Sequence, residues 1–127
     1  MKHIYCEIIT IGDEILYGHI LDTNAQWISQ ELDKIGIKTR KRTTIGDNSK
    51  DITNVLDKSL NKNDLIILTG GLGPTNDDIT KNCLNNFFGG KLVTDENTLS
   101  HIKKMFKKRN FNFTKKNKDQ ARIPDNC

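Results

Sequence analysis

The chain has 127 residues, of which 35% are hydrophobic and 28% are charged, and its formal net charge is +4. This length predicts a single domain with its own core, and no apolar stretch reaches the roughly 18 residues that a membrane-spanning helix needs. The N-terminus lacks a signal-peptide pattern, and the three cysteines, Cys6, Cys83 and Cys127, form no C-x-x-C pair. We therefore expect a cytoplasmic protein without membrane association, with buried or incidental thiols.

The first half of the chain alternates between strand-like and helix-like segments. Residues 7–11 are rich in isoleucine and stop at Gly12, which predicts a strand. A helix is expected from a cap at Thr23 or Asn24 to the stop at Gly36, with the apolar stripe Trp27, Ile28 and Leu32. A second strand over residues 38–45 and a second helix, capped by Ser49, follow; its stripe is Ile52, Val55, Leu56 and Leu60.

The second half begins with the continuous apolar run at residues 65–68, which predicts a central strand covered on both faces. A glycine-rich segment follows, and then a helix over residues 78–88 that ends at Gly89-Gly90; its expected inward side chains are Ile79, Leu84, Phe87 and Phe88. Residues 91–93 predict a brief strand, and Asp95 is expected to cap a helix with the stripe Leu99, Ile102 and Phe106. The polar tail, residues 114–127, shows no closing element.

Strands that alternate with helices predict an α/β fold with a mainly parallel sheet and helices on both faces. In such sheets, ligands bind at the carboxyl ends of the strands. The segment Thr69-Gly70-Gly71-Leu72-Gly73-Pro74, called the glycine loop below, follows one such strand. Its three glycines let backbone N–H groups approach an anion, although a tight structural turn explains them as well. The Rossmann and P-loop spacings are absent.

Acidic residues accompany the glycine loop. Asp77 and Asp78 would disfavour a nearby phosphate unless they hold a divalent metal, for which Mg²⁺ is the natural choice, or orient a water; helix capping is the alternative. We expect Asp78 to be functional and Asp77 to cap the helix or support Asp78. The loops at residues 12–14 and 46–48 should lie at the same rim of the sheet, which favours a metal-dependent phosphate site. The three histidines show no ligand or triad spacing.

A basic stretch lies near the C-terminus. Its eight cations have no acidic residue between them: Lys103, Lys104, Lys107, Lys108, Arg109, Lys115, Lys116 and Lys118. Such a cluster attracts phosphate or nucleic acid. The sequence alone favours a solvated basic face, with nucleic acid as the minor alternative.

These motifs resemble those of the CinA, or competence/damage-inducible protein A, family. The matching segments occur in the family's order: Gly12-Asp13-Glu14-Ile15-Leu16, Gly18, Asp22-Thr23-Asn24-Ala25, Gly46-Asp47-Asn48, Thr69-Gly70-Gly71-Leu72-Gly73-Pro74-Thr75 and Asp77-Asp78-Ile79-Thr80-Lys81. The resemblance spans nearly the whole chain. It implies a three-layer α/β sandwich of the MoaB/Mog molybdopterin-binding type.

The resemblance also implies function. In CinA-type proteins this domain is associated with divalent-metal-dependent ADP-ribose pyrophosphatase activity, and in the Mog type the related fold adenylylates molybdopterin. It implies catalytic roles for Asp47 and Asp78, with Asp78 also at the metal, and a pocket for a nucleotide or pterin phosphate. The expected ligand-binding residues are Gly12, Glu14, Thr69, Gly70, Gly71, Gly73 and Thr80. A homo-oligomer is implied as well.

Three functions remain open at this point: a hydrolase, a binding module without turnover, and an interaction domain with an inactive pocket. Residues 1–127 are expected to form one MoaB/Mog-like domain, incomplete at its C-terminal end. The family's separate nicotinamide-mononucleotide deamidase domain is not among these residues, so we expect no deamidase activity from this chain.

Overall fold

Strands and helices alternate along the chain, as the hydrophobic pattern predicts. A computed structural model describes residues 3–126 and divides them into two units, one ending at Gly71 and the other beginning at Leu72. The first unit contains β1 (Ile4–Ile11), α1 (Asp13–Leu16), α2 (Thr23–Lys34), β2 (Ile37–Ile45), α3 (Ser49–Leu60) and β3 (Leu65–Thr69). The second contains α4 (Thr80–Phe88), β4 (Leu92–Thr94), α5 (Glu96–Lys108), α6 (Lys115–Asp119) and β5 (Arg122–Pro124). Across residues 3–126, no helix has the length and apolarity to cross a membrane.

The sheet of the first unit is parallel, as predicted, but its central strand is β1. The strand order is β2-β1-β3, and residues 6–11 of β1 are all buried. Within the described residues β3 pairs with β1 alone, and its five residues are only half-buried. The prediction that residues 65–68 form the central strand is therefore wrong. A continuous apolar run reports that both faces of a strand are covered, and it carries no information about whether both edges are paired.

Helices cover both faces of this sheet. Cys6 and Ile8 of β1 form a buried cluster with Ala25 and Leu32 of α2. Neighbouring strand residues point to opposite faces, and Glu7 accordingly meets Ser59 of α3 on the other side. The first unit therefore has three layers, which agrees with the expected sandwich.

Glu7 is a buried carboxylate that ties these layers together. It accepts hydrogen bonds from the hydroxyls of Thr43 at 2.6 Å and Ser59 at 2.7 Å and from the Asn63 amide at 3.0 Å, and the Lys41 ammonium lies 3.4 Å away. Burial acts to raise the pKa of Glu7, but the two hydroxyls and the ammonium outweigh it and hold the pKa below its ordinary value. Because every oxygen has a partner, the buried charge joins β1, β2 and α3.

Two helices are capped by an earlier residue of their polar segments than predicted. The Asp22 carboxylate caps α2, where Thr23 or Asn24 was expected, and Asn48 caps α3, where Ser49 was expected. Each cap accepts a hydrogen bond from a backbone N–H group of the first turn. In a run of polar residues, the backbone conformation selects the cap, and side-chain chemistry alone does not identify it.

Three large side chains that were predicted to face inward are exposed. Trp27 of α2 is 62% exposed, Leu60 at the end of α3 is 43% exposed and Phe88 at the end of α4 is 51% exposed. Leu60 and Phe88 lie in the last turns of α3 and α4. Helical spacing predicts which side of a helix faces inward, but it does not predict how far along the helix that side stays covered. The predicted stops are confirmed, since Gly36 and Gly89 adopt positive φ angles of 82° and 71° just after α2 and α4.

The C-terminal tail is structured, which corrects the expectation that it has no closing element. β4 pairs antiparallel with β5, and α6 precedes β5. The Lys81 ammonium of α4 donates to the backbone carbonyl of Arg122 at 2.7 Å, which ties α4 to β5. Asp95 caps α5 as predicted, with its carboxylate accepting from the Thr98 N–H group. Two short strands that lie far apart in the sequence leave no local pattern to detect.

The thiols of the described chain behave as expected. Cys6 and Cys83 are buried and free, and burial raises the pKa of both thiols. Cys127 lies outside the described residues.

Candidate functional site

The loops that follow β1 and β2 are held together by two aspartates. The Asp13 N–H group donates to the Asp47 carboxylate at 3.3 Å, and the Asp47 N–H group donates to the Asp13 carboxylate at 3.1 Å. The Gly12 N–H group donates to the Ile45 carbonyl at 2.9 Å, which continues the sheet into the loops. The expected shared rim is thus observed, and it places both aspartates at the carboxyl ends of neighbouring parallel strands.

Glycines make room for the acids in these loops. A Cβ on Gly46 would lie 2.5 Å from the Asp13 carboxylate, and a Cβ on Gly12 would lie 2.8 Å from the Glu14 carboxylate. Real Cβ atoms essentially never lie so close to a neighbour, so a side chain at either position would displace the adjacent carboxylate from its present place. Asp13 was absent from the predicted site. Its signal was present in the sequence, because Gly12-Asp13 after β1 repeats Gly46-Asp47 after β2.

The glycine loop starts at the same rim. Thr69, the last residue of β3, is in register with Thr10 of β1. Gly70 follows with φ +95°, and a Cβ there would lie 1.9 Å from the carbonyl oxygen of Ile11. Gly71 has φ +64°. The first half of the glycine loop therefore requires glycine at two consecutive positions, one because of a backbone neighbour and both because of their φ angles.

A cleft lies on the α2 face of this sheet. Its volume is about 550 Å³, and it is lined by Leu21, Asp22, Thr23, Gln26, Arg42 and Thr44. Arg42 and Thr44 are in register with Ile8 and Thr10, close to the carboxyl ends of β1 and β2. The Asp22 carboxylate accepts a hydrogen bond from the Thr10 hydroxyl at 2.6 Å. The volume is in the range of small-ligand sites, and Arg42 supplies a cation.

The second half of the glycine loop belongs to the second unit and is organised by Asp78. The Asp78 carboxylate accepts hydrogen bonds from the Thr75 hydroxyl at 2.6 Å and the Thr75 N–H group at 3.0 Å. The Thr75 hydroxyl, the Thr75 N–H group and the Gly73 N–H group together hold the pKa of Asp78 below its ordinary value. A Cβ on Gly73 would lie 2.6 Å from this carboxylate. Asp78 thus closes a turn over residues 73–78.

This arrangement corrects the expected helix start at residue 78 and the expected capping by one of the two acids. Helix α4 begins at Thr80 and has Ile79 at its N-cap, with no side-chain capping hydrogen bond. Neither Asp77 nor Asp78 caps it, and ten residues separate the end of β3 from the first residue of α4. Thr80 is fully buried at the start of the helix.

The predicted site residues are distributed over both units. The first unit carries Gly12, Glu14, Asp47, Thr69, Gly70 and Gly71, and the second carries Gly73, Asp78 and Thr80. The first unit brings Gly12, Glu14 and Asp47 together with Asp13. The second brings Gly73 and Asp78 together.

The donors at the rim suit a metal that arrives with a phosphorylated ligand. No three His, Cys, Asp or Glu side chains among residues 3–126 are grouped closely enough to hold a metal ion by themselves. Mg²⁺ is commonly bound by one or two carboxylates together with substrate phosphates and waters. Asp13 and Asp47 each use one carboxylate oxygen on the other's backbone, and this pair fits that requirement.

The sequence matches a protein family over most of its length. A protein-family model described as "Probable molybdopterin binding domain" matches residues 7–123. A CinA-like protein from Cytophaga hutchinsonii is 52% identical over 125 residues, which cover 98% of this chain and 30% of the relative. A CinA-like protein from Flavobacterium psychrophilum is 46% identical over 124 residues, covering 94% and 29%. The chain thus spans less than a third of these relatives' length.

Solved structures show the same fold. The protein CinA from Thermoplasma acidophilum, described as having unknown function, is 32% identical with a TM-score of 0.84, and the match covers 98% of this chain and 73% of that one. The molybdopterin biosynthesis enzyme MoaB from Thermus thermophilus is 21% identical with a TM-score of 0.64, covering 80% and 63%. The second likeness concerns the fold alone.

Proposed function

Because the chain belongs to the family of molybdopterin-binding domains found in CinA-like proteins, we propose that it binds a phosphorylated nucleotide or pterin at the rim of the first unit. The observation that carries the proposal is the reciprocal pairing of Asp13 and Asp47 across the loops after β1 and β2. It holds two carboxylates at the edge where ligands of parallel α/β sheets bind.

The ligand's phosphates are assigned to the loops and its larger part to the cleft. Glycine at positions 70 and 71 leaves no side chains over this part of the backbone, so a phosphate group can approach it closely. The cleft of about 550 Å³ on the α2 face has room for a nucleoside or pterin. Arg42 in its lining would attract a negatively charged ligand.

We further propose metal-dependent hydrolysis of a nucleotide pyrophosphate such as ADP-ribose. A water oxygen would attack one phosphorus atom, the bridging P–O bond would break, and AMP and ribose 5-phosphate would leave. Asp13 and Asp47 would hold Mg²⁺, which when bound neutralises charge on the phosphate oxygens. Asp47, whose backbone is fixed by its hydrogen bond to Asp13, would also orient the attacking water.

The alternative is molybdopterin binding or adenylylation, or binding with no turnover. The description of the family model, "Probable molybdopterin binding domain", supports this alternative. The same rim would serve either ligand, so the ligand must be identified directly. The homo-oligomeric state implied by the resemblance stays a prediction.

The test is an assay of the purified chain against ADP-ribose, with and without Mg²⁺, alongside binding of molybdopterin. We expect Mg²⁺-dependent release of AMP. Asp47→Asn keeps an acceptor for the Asp13 N–H group but removes the charge, and we expect activity to fall about a hundredfold or more, the usual size of such a catalytic contribution. Asp57→Asn on the exposed side of α3 is the matched control. Turnover unchanged in Asp47→Asn would refute the role of the rim, and molybdopterin binding without any turnover would replace hydrolysis with the binding alternative.

A further inference from the structure

The basic stretch forms an exposed patch on the second unit. The eight cations occupy α5, the loop after it and α6: Lys103, Lys104, Lys107, Lys108, Arg109, Lys115, Lys116 and Lys118. All eight are exposed, and α5 and α6 contact each other. These residues are called the basic patch below.

The patch carries a large excess of positive charge, although Glu96 lines the same surface cavity as Lys103, Lys104 and Lys107. The chain's net charge is +4 and the patch alone carries +8, so the remaining residues carry −4. Within residues 3–126, the three ion pairs all lie in the first unit, and none involves a patch residue. Gathering like charges on one surface destabilises the folded state through mutual repulsion. An anionic partner would relieve that repulsion.

The geometry of α5 argues against a membrane surface as that partner. At helical spacing, Lys103, Lys104, Lys107 and Lys108 share one side of the helix. The apolar side is occupied, because Leu99 is buried and both Ile102 and Phe106 are half-buried. A helix that lies in a membrane interface needs a free apolar face to insert, and α5 uses its own within the unit.

An aromatic side chain lies beside the cations. Phe106, Phe111 and Phe113 form a cluster of edge-to-face contacts, with ring centroids 6.4 Å and 5.7 Å from Phe106. The Lys103 ammonium lies 5.8 Å from the Phe113 ring centroid. Phe111 is 62% exposed. Phe111 lies in the loop between the basic helices α5 and α6, and an exposed ring next to a basic surface is the combination that binds unpaired bases by stacking while lysines contact the phosphates.

We propose that the basic patch binds single-stranded nucleic acid, with Phe111 as a stacking platform. The sequence alone favoured a solvated face. The structure adds that all eight cations are exposed without carboxylate ion-pair partners among residues 3–126, that the apolar face of α5 is used internally, and that the Phe111 ring is exposed in the loop between α5 and α6. This site lies wholly within the second unit and is independent of the proposed hydrolysis.

Fluorescence anisotropy with a labelled single-stranded oligonucleotide of about 16 nucleotides tests the proposal. Lys104→Gln/Lys107→Gln/Lys108→Gln should lower the slope of log affinity against log salt by about 2, since each phosphate contact on a single strand contributes about 0.7. The control Lys50→Gln/Lys58→Gln/Lys62→Gln removes the same charge from the first unit and should leave the slope unchanged. Equal effects of the two triple variants would show a general charge effect and overturn the patch.

The aromatic part of the proposal has its own test. Phe111→Ala should weaken single-strand binding about five- to hundredfold, the range that stacking on one ring supports. Phe111→Leu keeps an apolar contact with Phe106 and should lose nearly as much affinity, which separates stacking from folding. A duplex of the same sequence should bind more weakly than the single strand. Equal binding of duplex and single strand, or binding to phosphatidylserine vesicles in place of the oligonucleotide, would overturn the proposal.

Discussion

Gly70→Ala is expected to be the most damaging single change in the glycine loop. Two features of the structure act together at this position. The backbone has φ +95°, and an added Cβ would lie 1.9 Å from the Ile11 carbonyl oxygen, where real Cβ atoms stay at least 3.0 Å from their neighbours. That oxygen belongs to the backbone at the end of central strand β1, so no side-chain rotation relieves the contact.

The magnitude follows from these two features. A positive φ costs a residue with a Cβ about 1–2 kcal/mol. Relieving the contact requires the ends of β1 and β3 to separate by roughly 1 Å, and losing a hydrogen bond there costs about 1 kcal/mol more. We therefore expect Gly70→Ala to lower the free energy of unfolding by about 2–3 kcal/mol.

Gly36→Ala is the matched control. Gly36 also has a positive φ, +82°, but nothing lies within 4 Å of its added Cβ. This variant should lose only the conformational part, about 1–2 kcal/mol. Urea unfolding of both variants measures the difference, which we expect to be about 1 kcal/mol in favour of Gly36→Ala. Equal stabilities would mean that the close approach of Gly70 to β1 does not constrain the fold.

Two further changes separate alternative roles of buried and loop carboxylates. Asp78→Asn should reduce Mg²⁺-dependent turnover about tenfold or more if the charge of Asp78 acts on the metal or the substrate. Thr75→Val is the comparison, because it removes only the 2.6 Å hydrogen bond to Asp78 and leaves the charge. Equal losses of turnover in the two variants would assign Asp78 to the turn alone. Glu7→Gln should cost about 2 kcal/mol at neutral pH, the scale of hydrogen bonds to a charged group. Because the pKa of Glu7 is lowered on folding, this difference should persist above about pH 5 and shrink as pH falls through the folded pKa; a difference independent of pH in urea unfolding would contradict the charged state of Glu7.

Elements with long, regular patterns were predictable from the sequence. Five elements have apolar residues at strand-like or helical spacing over enough length to be recognised: β1, β2, α2, α3 and α5. The position of β3 at the sheet edge was not predictable, because a run of four apolar residues does not encode which strands pair. The pairing of β4 with β5 was missed for the same reason, since both strands are short and distant in sequence.

The site was predictable in its chemistry but not in its connections. The repeated Gly-Asp pattern after β1 and β2 identified the acidic loops. Their reciprocal hydrogen bonds depend on the register that aligns Ile11 with Ile45, and this register is a non-local property of the sheet. The sequence predicts Asp78 at the start of a helix, but Asp78 lies two residues before α4 and closes a turn with Thr75. The hydrophobic pattern of α4 does not show where the preceding turn ends and the helix begins.

The three glycines of the loop have different structural tasks, and this determines how phosphate binding must be tested. Gly70 permits close approach to the Ile11 carbonyl, Gly71 has φ +64°, and Gly73 makes room for the Asp78 carboxylate. A side chain at position 70 or 71 strains the local backbone, and one at position 73 displaces the Asp78 carboxylate, whether or not a phosphate binds there. Gly71→Val, for example, places a β-branched residue at positive φ and costs stability as well as affinity. Affinity for ADP-ribose must therefore be measured per folded molecule, at a temperature where the variant remains native. A loss of affinity that exceeds the loss of folded protein is then attributable to contacts between the loop and the ligand.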